Sequence, residues 1–462
     1  MNVRTHSQAD VSAPAPERPE AQVWLTKAGQ DVLFQKQAAA LPFETAFDDG
    51  TAIHIDPAQR FQTMEGFGFA LTGGSAYLIR RLPLAERQAL LRELFLPDGE
   101  GIGVSYLRLT VGASDLSERS FSYNDLPPGE VDTELARFDL RAGDQDVIPL
   151  LKDILSVNPA IKLLASPWSA PPWMKTNRHW IGGKLRPEYY PVYAKYWVKY
   201  LQIMHAQGIP IQAITVQNEP LNPQNEPSML MEADEQALFI ADYLWPALRD
   251  AGLDKVEVFC WDHNCDRKDY PLTVLADPRA RPFIAGVAWH LYAGDISALS
   301  DVHQAYPDKK TYFTEQWVGR RGEFANDLNW HVKYVLVGAT RHWAQVVLEW
   351  NLASDPDCDP HTPGGGPDCK GALTLGQGIE RNVAYYVIAH AAKFVRPGAV
   401  RLFSNAVDGL PNVAFASADG HRIVLIVLND SADRRAFPIQ YKGRRASAIL
   451  EGGAVGTYLW PS

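Results

Sequence analysis

Eight short apolar, strand-type segments recur through the middle of this chain, at 65–70, 103–109, 161–168, 213–220, 255–262, 283–290, 310–315 and 344–351. Helix-type stretches stand between them. One covers 84–95 and has Pro83 at its start, and another covers 190–206. In the latter Tyr193, Trp197, Tyr200 and Met204 recur at helical spacing, which predicts a core-facing stripe, and Gly208 and Pro210 stop it. A third helix is predicted over 234–251, closed by Gly252, and a last one over 382–394. Strands that read as continuous apolar runs are buried on both faces, and parallel strands joined by helices are the arrangement that does this. Eight such units predict a (β/α)8 barrel, an α/β fold, over 61–395.

The rhythm differs at both ends. Short strand patterns stand at 22–26, 32–35 and 51–55, with no helix between them. After Arg396-Pro397-Gly398 come a hairpin pattern at 413–417 and 422–428, turning at Asp419-Gly420, and further strands near 435–440, 447–450 and 457–460. Residues 22–60 and 396–462 are therefore expected to build one side β-sandwich from both chain ends. Residues 1–21, rich in Ala and Pro, are expected to be a disordered leader.

The partner class follows from charge and hydropathy. A net charge of −10 argues against nucleic acid and is compatible with a neutral carbohydrate. No run of 18 apolar residues exists, so no stable membrane insertion is expected, and the N-terminus lacks the pattern of a signal peptide. Cys358 and Cys369 bracket a loop of Pro, Gly and Asp that has little means of holding itself, so a disulfide is expected there, worth roughly 2–3 kcal/mol. Such a bridge would favour a secreted or periplasmic location. Cys260 and Cys265 read equally well as free thiols.

Chemistry is expected where strands end. The segment Thr215-Val216-Gln217-Asn218-Glu219-Pro220 runs from β-branched residues into an amide, a carboxylate and a proline, and Pro220 cannot continue a strand ladder. Thr311-Tyr312-Phe313-Thr314-Glu315 likewise ends in a carboxylate. The C-terminal lip of a parallel barrel is where reacting groups collect, so Glu219 and Glu315 form a candidate carboxylate pair. No ligand partners stand at metal spacing around His290, so no metal is expected.

These strand ends, together with Ser166 to Lys175 (SPWSAPPWMK), Trp289-His290-Leu291-Tyr292 and Glu349-Trp350-Asn351-Leu352, resemble glycoside hydrolase family 30 in the right order from about 61 to 398. The resemblance implies a barrel with a side β-sandwich and a retaining β-glycosidase that uses no cofactor. Carried over by position, Glu219 would be the general acid/base and Glu315 the nucleophile. Retention requires the two carboxyls about 5 Å apart. Asn218 would bond the sugar 2-hydroxyl, and Arg108 would orient Glu315 and keep it ionised. Asp115 and Trp168 would bind outer hydroxyls of the reacting sugar, and Trp350 would form the floor beneath its ring. His290 and Tyr292 would stand beside the nucleophile, Tyr292 bonding Glu315. The segment 354–378 resembles bacterial relatives grouped with β-1,6-glucanases, so the expected activity is endo-β-1,6-glucanase acting on a β-glucan or β-glucoside. The alternative is a glucosylceramidase-like exo-β-glucosidase, with xylose or fucose as other possible reacting sugars. A non-catalytic carbohydrate-binding protein on this barrel would be expected to lack Glu219 or Glu315, and both are present.

Overall fold

The computed structural model describes residues 19–45, 52–143 and 145–462. Residues 1–18 of the expected leader fall outside these, while Glu20 and Ala21 already belong to a strand, Glu20–Thr26. Eight parallel strands close into a barrel in chain order: Gly66–Leu71, Tyr106–Val111, Lys162–Pro167, Ala213–Thr215, Glu257–Asn264, Ile284–His290, Lys310–Glu315 and Val346–Asn351. The fourth is far shorter than the apolar run predicts, because the backbone leaves the ladder at Val216 to turn Asn218 and Glu219 inward.

Close packing explains the glycines of the first strand. A Cβ on Gly68 would stand 1.9 Å from the carbonyl oxygen of Tyr106, so only glycine lets these two strands approach. Inside the barrel Tyr312 stacks on Phe259 with centroids 4.1 Å apart and meets Tyr106 edge-on at 5.8 Å. Large flat rings fill the interior that eight tilted strands leave. Outside it, Tyr190–Ala206 turns Tyr193, Trp197, Tyr200 and Met204 into the core as its spacing predicts. The helix expected over 234–251 is instead α over Ala233–Phe239, π over Ile240–Leu244 and α over Trp245–Asp250. Pro246 lacks the N–H and crowds the carbonyl one turn back, and a widened turn absorbs both. A helix the sequence reading passed over, Gly73–Arg81, follows the first strand.

Strands from both chain ends pair in one sheet that covers the barrel's flank. Glu20–Thr26 pairs with Val455–Pro461, and Ile53–Thr63 lies between Val400–Ser404 and Arg435–Tyr441. Thr51, expected to open that last N-terminal strand, lies outside the described residues. Buried His390, on Val383–Ala392, joins the two layers through hydroxyls of Thr457 and Thr26, each at 2.8 Å.

The expected disulfide is absent: Cys358 and Cys369 are buried free thiols. Their loop is held by other means. Thr362 donates its N–H to the Asp115 carbonyl (2.8 Å) and its hydroxyl to the Glu226 carbonyl (2.6 Å), and Gly364 donates to the Glu226 carboxylate (2.9 Å). A further strand pair, Val318–Gly319 with Cys369–Lys370, anchors its far end. Lip-to-lip hydrogen bonding thus does what a crosslink was expected to do. Among the described residues, no helix is long and apolar enough to cross a membrane.

Candidate active site

Glu219 reaches the barrel axis through an unusual backbone. Its φ is +44°, a left-handed conformation that a side chain adopts only when its surroundings hold it there. The Asn218 N–H bonds the Pro167 carbonyl (2.8 Å), the Glu219 N–H bonds the Asp262 carbonyl (3.0 Å), and Gln217 donates its amide to the Trp168 carbonyl (2.7 Å). Asn222 donates to the Glu219 carboxylate at 2.7 Å. Glu315 needs no such device, since it is the last residue of the seventh strand.

One oxygen from each of Glu219 and Glu315 and one ring nitrogen of His290 lie within 4.8 Å of one another. Sequence spacing around His290 gave no hint of this grouping, which only folding produces. Arg108 and His290 already supply positive charge to these carboxylates, so the cluster is charge-paired without a cation.

Arg108 is completely buried midway along the second strand, where a strand-end position was expected. Its guanidinium binds Glu315 directly and also reaches Asn218 Oδ1 (2.6 Å) and Asp262 Oδ2 (2.8 Å). The Tyr292 hydroxyl donates to Glu315 at 2.9 Å. Trp168 and Trp350 stack with centroids 5.2 Å apart, and the Arg108 guanidinium stands 4.9 Å from the Trp168 ring. Among the described residues, Trp168 Nε1 and Asp115 Oδ1 are buried polar atoms without a hydrogen-bond partner. Unpaired buried groups are costly, and a bound hydroxyl would satisfy both. All nine residues expected at the site therefore converge on one lip of the barrel.

Asp262 is a site residue that the sequence reading left as a mere strand end. Fully buried, it accepts bonds from Arg108, Thr215 (2.6 Å), Ser166 (3.1 Å), Thr314 (2.6 Å) and His290 Nε2 (3.1 Å). A carboxylate closing the fifth strand was the available signal, the same one that singled out Glu315.

Burial alone would raise every carboxyl here, and the neighbours then sort them. For Glu219 burial is outweighed by His290, His263 and Asn222, which bring it down to about 2. Burial keeps Glu315 above the usual carboxylate range despite His290 and Arg108, and the charges of Glu219 and Asp262 add to it. Asp262 is held well below that range because Arg108, His290 and Thr215 overcome its burial. Burial together with Glu315 and Glu219 pushes Asp115 up to about 8, making it a neutral hydrogen-bond donor at pH 7. For His290 burial opposes the charge, yet Glu315, Asp262 and Glu219 push it up to about 9.

The opposite mouth of the barrel holds a cavity of about 450 Å³, lined by Glu65, Lys162, Glu257 and Lys310 among others. Its charges are paired, Lys310 with Glu65 (2.6 Å) and Glu257 (2.7 Å) and Lys162 with Glu65 (2.8 Å). At that end of a barrel such a cluster serves stability.

Comparison with known proteins bears on the family and the fold. The model of the glycosyl hydrolase family 30 TIM-barrel domain matches residues 64–395, and that of the family's β-sandwich domain matches 398–458. An endo-1,6-β-D-glucanase of Neurospora crassa is 34% identical over 426 residues, covering 88% of this chain and 87% of its own. The lysosomal acid glucosylceramidase of Mus musculus is 26% identical, covering 89% and 84% respectively. Among solved structures, an endo-β1,6-glucanase superposes with a TM-score of 0.88 at 34% identity over 96% of this chain and 99% of its own. SrfJ of Salmonella typhimurium superposes at 0.90 with 28% identity, covering 96% and 100%.

Proposed function

The chain belongs to glycosyl hydrolase family 30, and from that membership we propose that it is an endo-β-1,6-glucanase cleaving β-linked glucose with retention. The observation that carries the reaction type is the spacing of Glu219 and Glu315, whose nearest oxygens lie within 4.8 Å, as a double displacement needs. The likeness to two endo-1,6-glucanases at 34% identity supports the substrate.

In this reading the reacting glucose lies on Trp350, with Asp115 and Trp168 Nε1 bonding its outer hydroxyls and Asn218 its 2-hydroxyl. Glu315, oriented by Arg108 and Tyr292, attacks the anomeric carbon while Glu219 gives a proton to the departing oxygen. Glu219 then takes a proton from water, which attacks the same carbon and frees Glu315. Hydrogen bonds to the 2-hydroxyl strengthen as positive charge develops on the ring. The catalytic unit is 61–395, flanked by 22–60 and 396–462. A polymeric glucan cannot cross a membrane intact, so the proposed place of action is outside the cytoplasm.

Replacing Glu219 or Glu315 by Gln is expected to abolish turnover of the glucan while sparing binding, and undiminished turnover would remove that residue from the mechanism. Product analysis on β-1,6-glucan tests the mode of attack. Oligosaccharides released from within the chain support the endo reading. Glucose alone, from small glucosides or a glucosyl lipid, would favour the exo-acting alternative. The lip bonds from Thr362 to Asp115 and from Gly364 to Glu226 favour that alternative, because they wall the site beside Asp115.

A further inference from the structure

His290 occupies a position that its nearness to Glu315 does not explain. The ring is fully buried among three carboxylates, two on strands and one beyond a strand's end. Its Nε2 faces Asp262 Oδ1 at 3.1 Å, and its Nδ1 faces Glu219 Oε1 at 3.4 Å and Glu315 Oε1 at 3.6 Å. Asp262 has no capacity to donate. Arg108, Thr215 and Ser166 point donors at Oδ2 and Thr314 points one at Oδ1, so His290 Nε2 must carry a hydrogen. The remaining variable is whether Nδ1 carries one too.

Asp262 is aimed at this ring by a distorted backbone. Trp261 and Asp262 have φ of +72° and +69°, and the ladder to the sixth strand slips between Trp261 and His263. Such a bulge re-aims a side chain that a regular strand would point elsewhere. Both ends of Asp262 then serve the site: its carbonyl accepts the Glu219 N–H and its carboxylate holds His290 and Arg108.

We propose that Asp262 is a positioning residue that makes His290 the store of the proton Glu219 delivers. The inference rests on the reading of Glu219 as acid/base. In the empty site the proton stands on His290 Nδ1 and Glu219 is ionised, which is the sense of the raised His290 and the lowered Glu219. When the bond from the anomeric carbon to the leaving oxygen breaks and the bond to Glu315 forms, Nδ1 gives its proton to Glu219 Oε1 and Glu219 gives one to the leaving oxygen. His290 is left neutral and keeps Nε2–H on Asp262. In the second half water supplies the proton that returns through Glu219 to Nδ1, and Glu315 leaves as a carboxylate. His263, 3.8 Å from Glu219 through Nε2, is pushed down by burial, and Arg108 acts on the ring only through Asp262.

The test is Asp262→Asn, assayed beside Glu219→Gln on two substrates: an alkyl β-glucoside, whose leaving group needs a proton, and 2,4-dinitrophenyl β-glucoside, whose leaving group does not. An amide cannot accept on both sides, so either His290 loses its Nε2 acceptor or Arg108 meets an N–H. The expected result is a loss of about a hundredfold or more on the alkyl glucoside and a much smaller loss on the dinitrophenyl one. The alkaline limb of kcat/KM, expected near 9 in the parent, should move down toward the ordinary imidazole value. Equal losses on both substrates with an unmoved alkaline limb would make Asp262 merely structural and overturn the inference. If Glu219→Gln itself shows no leaving-group dependence, the acid/base reading fails instead. Should Asp262→Asn not fold, ¹⁵N spectra of histidine-labelled parent enzyme decide the matter. Nε2 is expected to stay protonated while Nδ1 titrates with the alkaline limb, and an unprotonated Nε2 would refute the proposal.

Discussion

Arg108→Lys is the substitution that most directly probes how the site is held together. The guanidinium serves Glu315, Asn218 and Asp262 at once, with Ser166 Oγ 3.2 Å from its Nε. An ammonium is a single point of charge and cannot span these partners, so at least one charge-assisted hydrogen bond is lost, worth about 1.5–3 kcal/mol. If that loss falls on the Glu315 side it appears in the transition state, where each 1.36 kcal/mol is tenfold, and kcat/KM should drop by roughly 10- to 150-fold. A carboxylate left buried without its counter-charge also destabilises the fold, by up to about 3–5 kcal/mol in the extreme case. The sign of the pH effect is definite. Glu315 already lies above the usual carboxylate range, and weakening its contact with the cation raises it further, so the acid limb of kcat/KM should shift to higher pH. Steady-state rates across pH, with thermal melting as control, measure all three. A variant within twofold of the parent in kcat/KM, with its acid limb unmoved, would refute the assignment of Arg108 to Glu315.

Three other outcomes follow from particular contacts. A Cβ on Gly365 would stand 2.3 Å from the Asp115 carbonyl oxygen, so Gly365→Ala should push the 358–369 loop off Asp115 and lower kcat/KM by about tenfold with little change in melting temperature; unchanged kinetics would show that the loop does not shape the site. His390 is buried and held down to about 3, against an ordinary 6.5. As pH falls between these values the unfolded chain takes up a proton that the folded one refuses, and stability should fall by about 1.4 kcal/mol per unit. Denaturant midpoints of the parent and His390→Gln from pH 7 to 4 test this, and equal slopes would exclude His390 as the cause. Because Cys358 and Cys369 are free thiols, reductant should leave the melting temperature unchanged, and a fall of several degrees would reveal a bridge.

Much of this protein is legible without coordinates because its signals are local. A strand buried on both faces must be apolar along its length, and Lys310–Glu315 and Tyr190–Ala206 fall where the sequence alone puts them. Strand ends in a parallel barrel face one lip, so a carboxylate closing an apolar run already marks a site, as Glu315 does. The same rule applied to 255–262 would have found Asp262, whose apparent role there as a simple strand end hid it. Glu219 was found by its neighbours in sequence, yet its approach to the axis depends on a left-handed turn held by Pro167 and Asp262, residues far away along the chain.

Tertiary structure alone decided the rest. Sequence established the number of barrel strands, the residue types at their ends and the pairing of both chain termini in one sandwich. Which charges meet was decided only on closure of the barrel, which brings Arg108, Glu219, Asp262, His290 and Glu315 from five different strands or strand ends into one buried cluster. Local pattern reports how a residue is buried. The protonation of a buried group depends on the charges within a few ångströms of it, and those come from segments separated by up to 207 residues of chain.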